Sequence, residues 1–438
     1  MNTCICVANS HSSTSMEQVL TKVNGALGEA IDALSGPLQA TRLSTLQASD
    51  FSLPDKESSE LATRTIDLAD RLLRLVQPPA TQLAESFLAY LDTKCLCAAV
   101  EHGIPDLLAA GPQTLDELAA HSALQPLRLK QIMPVLYNNG IFTYDAGTSR
   151  YANNASSTLL LSEHWTQWHR WVSLYGNEFY DFAARIPAAI RAGETRSAAQ
   201  MTEGIASDQN LFAYYAQQPG MQEKFHGALG ASAVAQSPGL LADYAWAELG
   251  DATVLDIGGG GGSFIHSLLR AHGELRGALL ELASVVDLVW PKFFAHGGEF
   301  ADVASRMTAL HVGDFLHAVP EYEIYTMKWC LHNWGDEDVM RILRVVRKAI
   351  RVTPRARMII IESVLDDGRS SRIWRYGNVT MMSAVNGQER TVAEWRDLAG
   401  RTAWKVAAVV DMRNVWAKAI ELRPDTVALS NTVNGNIH

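Results

Sequence analysis

Apolar residues recur along this chain in two rhythms, helical in the first half and mixed in the second. Val19 to Leu34 and Leu61 to Leu75 have helical periodicity. From Gln82 the pattern becomes denser, with Phe87, Leu88, Tyr90, Leu91, Cys95, Leu96, Ala99 and Val100 at three- and four-residue steps. This predicts an amphipathic helix ending near Gly103-Ile-Pro105. Thr114 followed by Glu117 is a capping box, Leu127 to Asn139 reads as a helix, and Gly140 to Tyr144 reads as a short strand paired with Tyr151. Three short helices and a hairpin make a winged-helix pattern. Its would-be recognition helix, Pro126 to Tyr137, carries only Arg128 and Lys130, so packing or dimerisation fits better than DNA binding. A further helical block, Glu163 to Ala192, holds Trp165, Trp168, Trp171, Tyr175, Phe179, Tyr180 and Phe182. Aromatics at this spacing are usually core, but several fall off the main stripe and predict a pocket wall.

From Leu240 strands and helices alternate. Strands are predicted at Thr253 to Ile257, Gly277 to Leu282, Thr308 to Val312, Ile324 to Trp329 and Met358 to Val364, with two more near Val406 and Val415. Helices fall at 263–272, Glu337 to Ile350 and 392–401. Such alternation means a mostly parallel sheet covered by helices on both faces. The expected organisation is a tail with helices over 1–78, a winged-helix-like dimerisation domain over 79–160, a helical connector lining the substrate pocket over 161–235, a Rossmann-like domain over 236–425, and a tail over 426–438.

The chain has 438 residues, more than one core normally supports, which agrees with several domains. A net charge of -10 argues against nucleic acid or an anionic membrane surface as partner and favours a small organic substrate. The five cysteines, Cys4, Cys6, Cys95, Cys97 and Cys330, lack the spacing of a zinc site or a disulfide framework. They read as free thiols. With no secretory leader and no apolar run of spanning length, a cytoplasmic location is expected.

The chemistry-bearing segment is Val254-Leu-Asp-Ile-Gly-Gly-Gly-Gly-Gly262. Its apolar flanks make it a strand, turn and helix rather than a flexible linker, and its glycines allow the backbone to turn tightly and a ligand to approach. In a doubly wound sheet ligands gather beyond the carboxyl ends of the strands. The acids placed there are Asp256, Glu281, Asp314 and Glu362. Glu281 can accept hydrogen bonds from both hydroxyls of a ribose, and Phe315 can stack on a purine. No Lys or Arg follows Glu281 before Lys292, which disfavours a 2'-phosphorylated cofactor.

Leu255 to Gly262, Gly313-Asp-Phe315, Met327-Lys-Trp-Cys-Leu-His-Asn-Trp334 and Gly387-Gln-Glu-Arg-Thr391 together resemble the plant and fungal class I S-adenosylmethionine-dependent O-methyltransferases of small molecules. The resemblance covers roughly residues 80 to 422. It implies a Rossmann-like α/β fold with an amino-terminal winged-helix dimerisation domain, a homodimer, and S-adenosylmethionine as cofactor. It places Asp256, Gly258 and Gly260 at the cofactor turn, Glu281 on the ribose, Asp314 and Phe315 at the adenine, and Lys328 near the methionine end. It makes His332 the catalytic base, with Glu362 and Glu389 flanking it. An imidazole near its ordinary pKa can take a phenol or enol proton while a carboxylate orients the ring. The family usually has Asp after this histidine, where this chain has Asn333. No metal is expected.

Two other readings stand beside methyl transfer. Leu174 to Tyr180 and Met327 to Cys330 also resemble a fungal branch of pericyclases that bind S-adenosylmethionine. These catalyse dehydration with Diels-Alder, hetero-Diels-Alder or Alder-ene closure of a pyridone-type intermediate. There Lys328, His164 or His169 would donate hydrogen bonds to a substrate carbonyl. A non-catalytic regulator of the same fold is the third. The aromatic block with His164, His169, Met327, Met381 and Met382 points to a bulky, apolar, polyketide-type substrate.

Overall fold

The computed structural model describes residues 15–36, 43, 45–47 and 50–425. Cys4 and Cys6, with the rest of residues 1–14, and the expected tail over 426–438 lie outside the described residues. Helices Met16–Ser35 and Lys56–Val76 cover the first two predicted segments, and each is lengthened by its cap: a Ser15/Gln18 capping box and an Asp55 cap. The long helix predicted from Gln82 is two helices, Pro79–Leu88 and Tyr90–Glu101. At the break the Asp92 amide bonds back to Ala89 O, three residues away, which tightens one turn. Leu83, Phe87, Leu88, Tyr90 and Leu91 all face outward here. A contiguous exposed apolar face of this kind marks an interaction surface.

The winged unit follows. The Thr114/Glu117 capping box starts helix Leu115–Ser122, and helix Pro126–Asn138 packs beside it. Strands β1 (Gln113–Thr114), β2 (Thr143–Asp145) and β3 (Arg150–Ala152) pair antiparallel in the order β1-β3-β2, with Tyr144 opposite Tyr151. The expected hairpin thus gains a third strand. The aromatic block is also more broken than predicted, into helices Trp168–Gly176, Glu178–Ala183 and Ile186–Ala189. Gln167 sits at φ 48 and Asn177 at φ -118, ψ -83, both outside helical geometry, so the stripe changes direction at each.

The large sheet contains β4 (Thr253–Ile257), β5 (Arg276–Glu281), β6 (Met307–Val312), β7 (Ile324–Lys328), β8 (Arg357–Glu362), β11 (Trp404–Asp411) and β12 (Lys418–Pro424). Their order is β11-β12-β8-β7-β4-β5-β6. The β4 to β8 strands pair parallel, and β11 and β12 add an antiparallel edge. β12 begins at Lys418 rather than near Val415, because Asn414 at φ 57 extends the turn. One apolar core lies on each face of the sheet. The predicted strand Met358 to Val364 ends at Glu362, and Val364–Leu365 (β9) leaves to pair parallel with Arg390–Thr391 (β10). That small ladder carries Glu389 to the end of β8. Strand order reverses between β4 and β7, where Asp256 is the partner of Thr326, and at such a switch point a crevice opens.

Candidate active site

The glycine turn is built for close approach. β4 is buried up to Ile257, and the chain then passes through positive φ at Gly258, Gly260 and Gly262 before helix Ser263–Ala271. A Cβ at Gly259 would lie 2.4 Å from Asp256 Oδ2. The Gly260 amide donates to Glu281 Oε1 at 3.0 Å, and Leu282 N donates to Oε2 at 2.9 Å. Asp256 is fully buried; Oδ1 accepts from Thr326 Oγ1 at 2.9 Å, while Oδ2 has no partner. Burial pushes its pKa up to about 7 against the pull of Thr326 and Lys328, and burial also raises Glu281. Phe315 Cε1 lies 3.4 Å from where a Gly258 Cβ would stand. Asp256, Gly258, Gly260, Glu281 and Phe315 therefore meet at one turn. Asp314 stays at the rim, bonded to Leu316 N and His317 Nδ1.

A second turn follows β7. Lys328 is half-buried, its Nζ 4.6 Å from the Trp329 ring centroid, and burial lowers its pKa against the charges of Asp256 and Glu362. Trp329 adopts φ 48, unusual for a bulky residue. The bend aims three successive amides, those of Cys330, Leu331 and His332, at Glu362 Oε1 at 2.9, 2.8 and 3.3 Å. Cys330 Sγ lies 3.3 Å from a Cβ placed on Gly258, so the two turns touch. Burial pushes the Cys330 thiol up, which keeps it protonated.

His332 lies in this loop with its side chain 11% exposed. Its Nδ1 is 2.8 Å from Glu389 Oε1 and 3.2 Å from Glu362 Oε2. Burial works against the imidazolium, but Glu362 and Glu389 outweigh it and the pKa of His332 is raised. Burial likewise raises Glu362, opposed by the charge of His332. Glu389 is placed by its amide, which donates to Asn378 Oδ1 at 2.9 Å, and by the Gln388 amide, which donates to His332 O at 2.8 Å. The approach depends on Gly387, where a Cβ would lie 2.1 Å from His332 O. With Nδ1 committed to the acids, Nε2 is the nitrogen left for an incoming proton.

The predicted substrate residues do not form one surface. Met381 and Met382 lie on helix Arg372–Val385, which also carries Asn378, and Met381 O accepts from Gly387 N at 3.1 Å. Met327 is a correction: it is fully buried among Leu255, Ile257, Leu331 and Met340. Alternation along β7 turns Met327 away from the face shared by Thr326 and Asp256. His164 Nδ1 contacts Thr166 Oγ1 at 2.8 Å. His169 lies among Leu161, Asp106 and Glu163, at the start of the aromatic block. Rings of the aromatic block form a continuous run, joined by Trp416, which the sequence reading did not place. Trp171 and Tyr175 lie 4.9 Å apart, Tyr175 and Phe179 4.5 Å, and Trp416 meets Trp168 and Trp171 at 5.0 and 5.7 Å. Trp416 O accepts from Ser363 Oγ beside Glu362, and the charge of Glu389 reaches Tyr175.

Comparison with known proteins shows the family of the chain. Residues 184–405 match the O-methyltransferase domain, and residues 84–163 match the O-methyltransferase dimerisation domain. O-methyltransferase verK of Clonostachys rogersoniana is 61% identical over 410 residues, covering 93% of this chain and 100% of that protein. O-methyltransferase aclM of Aspergillus oryzae is 46% identical over 415 residues, 91% of this chain and 95% of the relative. The solved structure of CalO1, a methyltransferase in calicheamicin biosynthesis bound to S-adenosylhomocysteine, superposes with TM-score 0.68 at 27% identity, covering 79% of this chain and 98% of that one. The chain belongs to the O-methyltransferase family. It is an S-adenosylmethionine-dependent enzyme of secondary-metabolite biosynthesis that carries the family's dimerisation domain and pairs as a homodimer. Among the described residues no helix is long and apolar enough to cross a membrane.

Proposed function

We propose that the enzyme methylates a hydroxyl of a bulky, apolar, polyketide-type metabolite, with His332 as general base. The contact of His332 Nδ1 with Glu389 at 2.8 Å, on a loop that touches the glycine turn, is the observation that carries this reading. The residues fit the cofactor: Asp256, Gly258, Gly260, Glu281 and Phe315 would hold S-adenosylmethionine, with Asp314 at the adenine edge and Lys328 toward the methionine end. When bound, the cofactor supplies an electrophilic methyl on a sulfonium.

The chain's own residues then have separate tasks. Glu389 fixes the proton on Nδ1, so Nε2 of His332 can take the acceptor's hydroxyl proton. Glu362 holds the loop through three amides and biases the ring toward the charged form it must reach. Holding the acceptor oxygen in line contributes as much as the proton transfer. The rings packed from Trp416 to Phe179, with Met381 and Met382, support a flat apolar acceptor. The free thiols of Cys95, Cys97 and Cys330 fit a cytoplasmic location.

Incubating the enzyme with S-adenosylmethionine and a panel of hydroxylated, fused-ring apolar metabolites tests the reading. The expected products gain one methyl each, with one S-adenosylhomocysteine formed per product. Methylation confined to small polar hydroxyl compounds would overturn the substrate class, and a cyclised product formed without S-adenosylhomocysteine would make the cofactor electrostatic only.

A further inference from the structure

The loop carrying His332 is held on two sides by buried charges of opposite sign. Glu362 collects its amides, as described above. Its carbonyls are collected by Arg390, which is 1% exposed. One Arg390 Nη donates to Leu331 O at 3.3 Å and the other to Trp334 O at 2.7 Å. Nε donates to Asp336 Oδ1 at 2.9 Å, and the guanidinium lies 5.5 Å from the Trp395 ring. Leu331 and Trp334 flank His332 and Asn333, so one planar fork spans the stretch that presents the imidazole. The same segment supplies Glu389, the acid that meets Nδ1. The loop also needs restraint, because Trp329 enters it at positive φ, a conformation that persists only when its surroundings over-determine it.

We infer that Arg390 is a positioning residue for methyl transfer, setting the distance and angle of His332 against Glu389 without touching acceptor or cofactor. A lysine cannot replace it, since a single ammonium cannot reach two carbonyls and a carboxylate in one plane. The inference rests on His332 being the base, and His332→Ala run in parallel separates the two. If His332→Ala keeps its rate, the base assignment fails whatever Arg390 does. If His332→Ala is inactive while the Arg390 variants are not, only the inference about Arg390 fails.

The test uses full-length Arg390→Lys and Arg390→Ala, with rates expressed per folded molecule. A displacement of about 1 Å at a catalytic group costs about 100-fold in rate, so kcat should fall by that order while the KM for S-adenosylmethionine moves by less than about threefold. The acidic limb of the kcat profile should move to lower pH as the contact with Glu389 loosens. Guanidinium ion at millimolar concentration should restore part of the rate to Arg390→Ala and none to Arg390→Lys. A kcat per folded molecule equal to wild type with an unmoved acidic limb would overturn the inference, as would a loss that follows folded fraction and ignores guanidinium. Should Arg390→Ala fail to fold, Asp336→Asn decides alongside the lysine variant. The Asp336 side chain is 54% exposed and holds the fork from outside, so its loss should lower kcat several-fold with the same movement of the limb. No change in either variant overturns the inference.

Discussion

Nδ1 of His332 and Oε1 of Glu389 stand 2.8 Å apart, both residues buried, although one comes from the loop after β7 and the other from the loop before β10. This contact fixes the imidazole tautomer and raises its pKa together with Glu362. A base must be neutral to act, so kcat should rise with pH through a value above the ordinary imidazole value of about 6.5. Glu389→Gln removes one source of that rise. Its acidic limb should shift to lower pH, and kcat should fall by about 100-fold at pH 7, within the range ascribed to general base catalysis. Steady-state pH profiles of both enzymes check this, and an unmoved limb would exclude Glu389 as the charge acting on His332.

Glu362 and Glu389 should separate by their effect on folding. Glu362 accepts three amides on one buried oxygen, so Glu362→Ala leaves three donors and a histidine without their anion. Removing one side of a buried charged contact costs about 3–5 kcal/mol. Denaturant unfolding should show a loss of that order for Glu362→Ala, with Glu362→Gln recovering part of it because an amide oxygen still accepts.

Gly387→Ala probes the approach of the two loops. The new Cβ would fall 2.1 Å from His332 O, so the acid-bearing loop must move away. Overpacking of this kind costs about 1–3 kcal/mol. Calorimetric binding of S-adenosylmethionine, set by the turn at Gly258 to Gly262, should stay near wild type while kcat falls.

Asp256 should leave a signature in the pH dependence of stability. Its folded pKa of about 7 lies above the unfolded value of about 3.9, so between those limits the folded protein holds the proton more tightly. The Asp256 contribution to stability is therefore present below pH 4 and declines as pH rises to 7. Asp256→Asn removes the titration. Thermal midpoints measured from pH 4 to 7 should fall less with rising pH in the variant, and identical slopes would contradict the burial argument.

Much of the fold is legible in the sequence because the strands are nearly continuous apolar runs and the turns need glycine. β4 is predicted at its observed limits, and the acids at the ends of β4, β5 and β8 follow from the placement of ligands in a doubly wound sheet. Met327 was readable too, since alternation from Thr326 and Lys328 assigns it to the opposite face. The break at Gln167 has no glycine or proline beside it, so nothing local marks the change of direction there, whereas Gly176 directly precedes the break at Asn177. Arg390 gives no periodic signal. Its role arises from contacts with carbonyls in another loop, and that loop depends on Trp329 entering a conformation its side chain disfavours.

The most direct measurement is kcat for S-adenosylhomocysteine formation by wild type and His332→Ala, with the cofactor and a hydroxylated acceptor that the wild type methylates both saturating. With His332 as base, the variant should bind S-adenosylmethionine normally and turn over about 100- to 10,000-fold more slowly. A rate within a few-fold of wild type would contradict the account.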